Sequence, residues 1–224
     1  MIHTGIVQYL SEIDTNIFLS FNGIHSPFWD YFMSSFTGKF IWIPMYATIL
    51  YILLKNFHWK VVLCYVAAIA LTITFADQMC SSIIRPVVAR LRPANPENPI
   101  VDLVYIVNGY RGGSYGFPSC HAANSLGLAM FVIFLFRKRW LSIFILTWAI
   151  LNCYTRIYLG VHYPGDLLVG GIIGGFGGWL FCTIAHKAAI YLKPSTRTKR
   201  KEIKQWSVTI LSLIHISEPT RRTP

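Results

Sequence analysis

Charge is scarce in this chain. Of its 224 residues only 13% are Asp, Glu, Lys or Arg, against about 25% in a typical soluble domain. That deficit excludes an ordinary water-facing surface. Acidic residues are scarcer still, 9 against 20 Lys and Arg, for a net charge of +11. With so few carboxylates no cluster suited to Mg²⁺ is offered, and no metal or other cofactor is implied. The five cysteines include no C-x-x-C pair, which argues against a zinc knuckle or a dithiol redox motif. Cys64, Cys80, Cys153 and Cys182 lie in apolar runs and read as buried small side chains. The first 20 residues lack a basic start and an unbroken apolar stretch, so no cleavable signal peptide is expected. The positive residues fall in short runs, a pattern of membrane topology rather than of a nucleic-acid groove.

What is abundant is apolar sequence, 54% of the chain. A bilayer-crossing helix needs about 20 such residues. Five stretches qualify or nearly so: Phe40–Leu54, Trp59–Ile84, Ala122–Phe136, Trp140–Leu159 and Asp166–Leu192. The last carries Gly170, Gly171, Gly174, Gly175, Gly177 and Gly178, a spacing that lets membrane helices approach closely. Before them, Ile6, Tyr9, Leu10, Ile13, Ile17, Phe18 and Phe21 recur at helical spacing among Glu12, Asp14 and Asn16. That pattern predicts an amphipathic helix lying in the interface rather than a crossing. The expected organisation is an N-terminal interfacial helix and turn (1–39), an all-α transmembrane catalytic domain (40–192) of about five helices, and a basic tail (193–210). The segment 211–224 stands apart. Leu211–Arg221, LSLIHISEPTR, reads as a translated transposase sequencing adapter. It is expected to be non-native, with the natural C-terminus lost after about Ile210.

Three basic groups alternate to one side of the five spans: Lys55 and Lys60, Arg137 to Arg139, and the tail after Leu192. The positive-inside rule makes that side cytoplasmic. The opposite side nevertheless holds Arg85, Arg90, Arg92 and Arg111, with Arg156, His121 and His162 near the boundary. Headgroup snorkelling is the bland explanation for such arginines. Their gathering with histidines at membrane depth points instead to a functional site. Asp77 and Gln78, late in the second span, either brace these arginines or bond neighbouring helices.

A phosphoryl group in transfer spreads negative charge over three oxygens, and its catalysis is largely positioning and charge stabilisation. Arg85, Arg92 and Arg156 offer fork-shaped donors matched to such oxygens. Arg85 and Arg92 are about two helical turns apart, although Pro86 and Pro93 oppose an unbroken helix. Ser119 is placed to cap the third span and Pro164 to open the fifth. Both N-termini then present free N–H groups on the arginine side. Asp166, four residues after His162, can accept a proton from one imidazole nitrogen and leave the other to attack phosphorus.

Three segments carry these residues: Arg85-Pro-Val-Val-Ala-Arg-Leu-Arg92-Pro93, Phe117-Pro-Ser-Cys-His121, and Thr155-Arg156 followed by His162 and Asp166. Together they resemble the three-part signature of the type 2 phosphatidic acid phosphatase superfamily, K-x6-RP, PSGH and SR-x5-H-x3-D. The match is close over about 77–170 and is most similar to the short bacterial membrane members. Arg85 stands for lysine, Cys120 for glycine and Thr155 for serine. The resemblance implies a metal-independent lipid phosphatase with a phosphohistidine intermediate at His162. His121 would serve as acid and base, with Asp166 as partner of His162. Arg85, Arg92, Ser119, Cys120 and Arg156 would bind phosphate. The expected substrates are undecaprenyl diphosphate, phosphatidylglycerol phosphate, phosphatidic acid or lipid A phosphates. The expected place is a bacterial inner membrane, with the site on the periplasmic face and the bilayer, not nucleic acid, as partner. A lipid-to-lipid phosphotransferase and a non-catalytic lipid-binding or transport protein are the alternatives. The His121, His162 and Asp166 trio opposes the latter, since a scaffold has no need of it.

Overall fold

The computed structural model describes residues 2–38 and 40–192. The basic tail and the adapter-like segment lie outside the described residues. The described chain is almost wholly helical: α1 (Ile2–Asn22), α2 (Pro27–Phe36), α3 (Ile43–Asn56), α4 (Trp59–Gln78), α5 (Arg85–Val88), α6 (Cys120–Phe136), α7 (Arg139–Tyr158) and α8 (Pro164–Leu192). A π-helical turn, Met79–Ile84, joins α4 to α5, so that Trp59–Val88 forms one rod of 30 residues. By length and composition that rod, α7 and α8 can each cross a membrane, and α6 is a shorter apolar helix. The first expected span is realised as α3, which begins only at Ile43, where Pro44 supplies a favourable first turn. Its 14 residues reach about 21 Å, less than the roughly 30 Å hydrocarbon core.

Two packing regimes build the bundle. Far from the site, Leu53, Val61, Tyr65, Phe131, Val132, Ile145 and Trp148 interlock in one buried cluster. Nearer the site, α6 and α8 make the most extensive helix contact, and glycine is what permits it. A Cβ built on Gly174 would overlap the Ala123 backbone, and one on Gly178 would overlap the Gly127 carbonyl. Helices this close forgo side-chain interlocking for backbone contact, the small-residue packing found in lipid. Outward faces stay apolar, with Leu63, Leu71, Phe144, Ile150, Leu168, Ile172 and Phe176 exposed. In water that surface would be a liability; against acyl chains it is the matching solvent.

Helix α1 inverts the usual soluble pattern. Ile6, Tyr9, Leu10, Ile13, Ile17 and Phe21 of its apolar stripe are exposed, and only Phe18 is buried. Phe18 packs on Tyr163 with ring centroids 5.4 Å apart. Asn22 latches the helix end: its Nδ2 donates to the carbonyls of Tyr105, Ile157 and Tyr158, and its Oδ1 accepts from the Tyr105 N–H. The helix therefore crosses the ends of α7 and α8, with its apolar stripe turned away from them.

Candidate active site

Chain direction brings the motifs together. The α4–α5 rod and α7 end at one face of the bundle, and α6 and α8 begin there. The rod stops because Ala89 adopts a left-handed conformation at φ 47°. Arg92 is thus presented from a loop and not from the same helix face as Arg85. A single antiparallel bridge, Leu91 with Tyr115, clips that loop to the segment before α6. Around the bridge Arg92 N–H donates to Ser114 O and Gly116 N–H to Arg90 O.

His162 sits in the short connection between α7 and α8 and is 1% exposed. Its Nδ1 lies 3.3 Å from Asp166 Oδ2. Its Nε2 lies 2.8 Å from Arg92 Nη1. Arg92 also donates to Val161 O at 3.1 Å and, through Nε, to Tyr115 O at 3.1 Å. Asp166, fully buried in the first turn of α8, accepts from the Tyr163 N–H at 3.0 Å. Gly116 presses on this group from above. A Cβ there would come 3.1 Å from Asp166 Oδ2 and 3.4 Å from His162 Nδ1.

Burial pushes the His162 imidazole well below its usual pKa, and the charges of Arg92, Arg156 and Arg85 push the same way. The imidazole is therefore neutral at ordinary pH, with a lone pair available for attack. Burial also lowers Arg92 to about 10, helped by Arg85 and Arg156; it remains a cation at neutral pH.

The other expected residues ring this pair. Ser119 caps α6, its Oγ accepting from the Ala122 N–H at 3.4 Å, while its own N–H donates to Asp166 O at 3.0 Å. Arg85 Nη2 donates to Pro118 O at 2.9 Å and to Cys120 Sγ at 3.0 Å. The lysine-to-arginine and glycine-to-cysteine departures thus touch each other. Arg156, 2% exposed, donates to Thr37 Oγ1 at 2.8 Å and to Tyr110 OH at 3.3 Å. The Nε atoms of Arg85 and Arg156 are buried with no acceptor among the described residues. A buried donor left unpaired costs about 1–3 kcal/mol, so an oxyanion reaching either would be held strongly. Thr155 instead turns its hydroxyl back to Asn152 O at 2.7 Å.

His121 lies in the first turn of α6, on the wall of a cavity of about 620 Å³. Cys120 and Asp77 line the same end. Tyr46, Leu53, Val66 and Leu128 carry the cavity onward between α3, α4 and α6. Asp77 is thus part of the cavity wall, and Gln78 accepts from Ser82 Oγ on its own rod.

Two site neighbours escaped the sequence reading. Gly116 carried no spacing signal. Asp14 looked only like a break in an amphipathic stripe, yet its carboxylate pairs with Arg90, which in turn pairs with Asp166.

The arrangement has relatives. A family model described as the PAP2 superfamily matches residues 61–190. A lipid A 4'-phosphatase of Bacteroides thetaiotaomicron is 72% identical over 207 residues, 92% of each chain. A lipid A 4'-phosphatase of Porphyromonas gingivalis is 32% identical over 222 residues, 93% of this chain and 91% of that one. The crystal structure of a transmembrane PAP2 type phosphatidylglycerolphosphate phosphatase from Bacillus subtilis superposes with a TM-score of 0.58 at 21% identity. That superposition covers 80% of this chain and 87% of that one.

Proposed function

This chain belongs to the PAP2 superfamily, and from that premise we propose that it removes the 4'-phosphate of lipid A through a phosphohistidine at His162. It is a membrane lipid phosphatase and a metal-independent hydrolase. The choice of lipid rests on likeness to the two lipid A 4'-phosphatases. The mechanism rests above all on one geometry. A buried neutral imidazole is held at Nδ1 by Asp166, and its Nε2 points at the guanidinium of Arg92.

In the first step the incoming phosphate draws Arg92 off Nε2 and onto its own oxygens. The Nε2 lone pair then forms the N–P bond while the bond from phosphorus to the sugar oxygen breaks. Protonated His121 gives its proton to that leaving oxygen. Asp166 keeps the Nδ1 proton in place and balances the positive charge that develops on the ring. In the second step neutral His121 takes a proton from water, the resulting hydroxide attacks phosphorus, and the N–P bond breaks to release inorganic phosphate. Arg85, Arg92 and Arg156, with the N-terminus of α6, stabilise the charge on the oxygens in both steps. The apolar cavity beside His121 suits an acyl chain.

In this reading the site faces the periplasm from the inner membrane. Lys55, Lys60 and Arg137 to Arg139 lie at the opposite end of the bundle, where the positive-inside rule expects the cytoplasm. The test is phosphate release by purified protein in detergent. The substrates to compare are lipid A carrying a 4'- or a 1-phosphate, phosphatidylglycerol phosphate, undecaprenyl diphosphate and phosphatidic acid. The expected outcome is free phosphate from the 4'-position, with His162→Ala at background. Label appearing on an acceptor lipid in place of free phosphate would convert the reading to transfer.

A further inference from the structure

We infer that Asp14, on the N-terminal helix, is a positioning residue for the phosphatase reaction, which it influences by sharing Arg90 with Asp166. This rests on the function proposed above and concerns the same site. Arg90 Nη1 lies 2.6 Å from Asp14 Oδ2 and 3.0 Å from Asp166 Oδ1. Its guanidinium carbon also sits 3.8 Å from the Tyr163 ring centroid. One cation therefore serves two carboxylates, and Asp166 is in turn the partner of the His162 imidazole. The second oxygen of Asp14 accepts from the Gly165 N–H at 2.7 Å, at the first turn of α8. A Cβ on Gly165 would come 2.8 Å from Asp14 Oδ2, so glycine is what lets the carboxylate reach that turn.

Asp14 is not the sole anchor of α1. The buried Phe18 and the four hydrogen bonds of Asn22 also hold the helix. What Asp14 adds is charge. Arg90 with a single carboxylate would draw fully on Asp166 and weaken its hold on the imidazole. With two, its pull is divided, and Asp166 stays free to support the positive charge that grows on His162 during attack. The charges and phenols facing this pair are Arg85 from α5, Arg90 and Arg92 from the following loop, Arg156 from α7, Asp14 from α1, and Tyr110 and Tyr163.

The test compares Asp14→Asn, Arg90→Gln and His162→Ala in purified, full-chain protein. Asparagine keeps an oxygen for the Gly165 N–H, and it replaces the oxygen that faces Arg90 with an amide NH2, so both the charge and that acceptor are lost. Asp14→Asn should lower kcat about 10-fold, the equivalent of roughly one pKa unit of lost support for the imidazolium, with KM and melting temperature unchanged. The acid limb of kcat/KM reports the titrating groups of the free enzyme. Asp14→Asn removes a negative charge, makes His162 harder to protonate, and should move that limb to lower pH. Arg90→Gln removes a positive charge and should move it to higher pH. A purely structural seam would not give opposite shifts. Wild-type kcat and pH profile in Asp14→Asn, or shifts of the same sign in both variants, would overturn the inference while an inactive His162→Ala left the proposed function standing. An active His162→Ala would overturn the proposed function itself.

Discussion

The α6–α8 crossing and the α1 seam face the same site but are held by opposite means. The crossing sets glycine against backbone at Gly170, Gly174 and Gly178. The seam contains an aspartate, an arginine and an asparagine making ionic and hydrogen-bonded contacts. Helices inside a bilayer gain little from excluding water, so close van der Waals contact fixes their distance. At the boundary charges are affordable, and there a polar seam tunes the site that the crossing places. Sterics set the spacing of the helices, and the strap adds Asp14 to the charges already gathered at the site.

The largest effect expected from breaking this comparison falls on the crossing. Gly174→Leu should cost about 3 kcal/mol or more, because the backbone of Ala123 cannot yield. The measurement is thermal unfolding in detergent, and a well-folded variant with wild-type melting would show that the crossing is looser than described. Next comes the chemistry the crossing positions. His121→Ala should lower kcat by about 10²–10⁴-fold with the melting temperature unchanged, the usual weight of a general acid–base group.

Smaller effects sharpen the contrast at the site's edge. Cys120→Gly removes the sulfur that accepts from Arg85. It should cost a few-fold in kcat/KM, roughly 1 kcal/mol for a lost hydrogen bond. Cys120→Gly with Arg85→Lys should recover part of that loss, since the two side chains act as a pair; strict additivity of the two changes would separate them. The smallest effect is on stability. The folded pKa of His162 lies well below its ordinary value of 6.5. Below pH 6.5 the unfolded chain binds a proton that the folded chain refuses. Stability from this group is therefore complete above pH 6.5 and declines as pH falls below it. His162→Gln should flatten that part of the melting-temperature profile between pH 7 and pH 5.

The motifs made much of the site legible in sequence. Arg92, Ser119, His162 and Asp166 meet as the family resemblance of their three segments implied, and only the part within each segment is short-range. Ser119 caps its own helix, and His162 and Asp166 are one turn apart. Asp14 and Gly116 were not legible, because their meaning lies in contacts across distant parts of the chain. The contact from Asp14 to Gly165 spans 151 positions, and no periodicity encodes it. The stripe of α1 was visible, but its facing was not. Amphipathicity marks two sides of a helix without saying which of them meets lipid. The break between Arg85 and Arg92 was foreshadowed by Pro86, whereas the left-handed turn at Ala89 that makes it had no glycine to announce it.

The contact of Arg92 with His162 bears on how the imidazole can be reached. The guanidinium seated 2.8 Å from Nε2 covers the nitrogen to which the proposed function assigns the attack. Only a ligand with oxygens attractive enough to lift the cation uncovers it, which makes the phosphate its own key. Imidazole-directed acylating reagents should accordingly label His162 slowly in the free protein and faster once Arg92 is shortened to alanine.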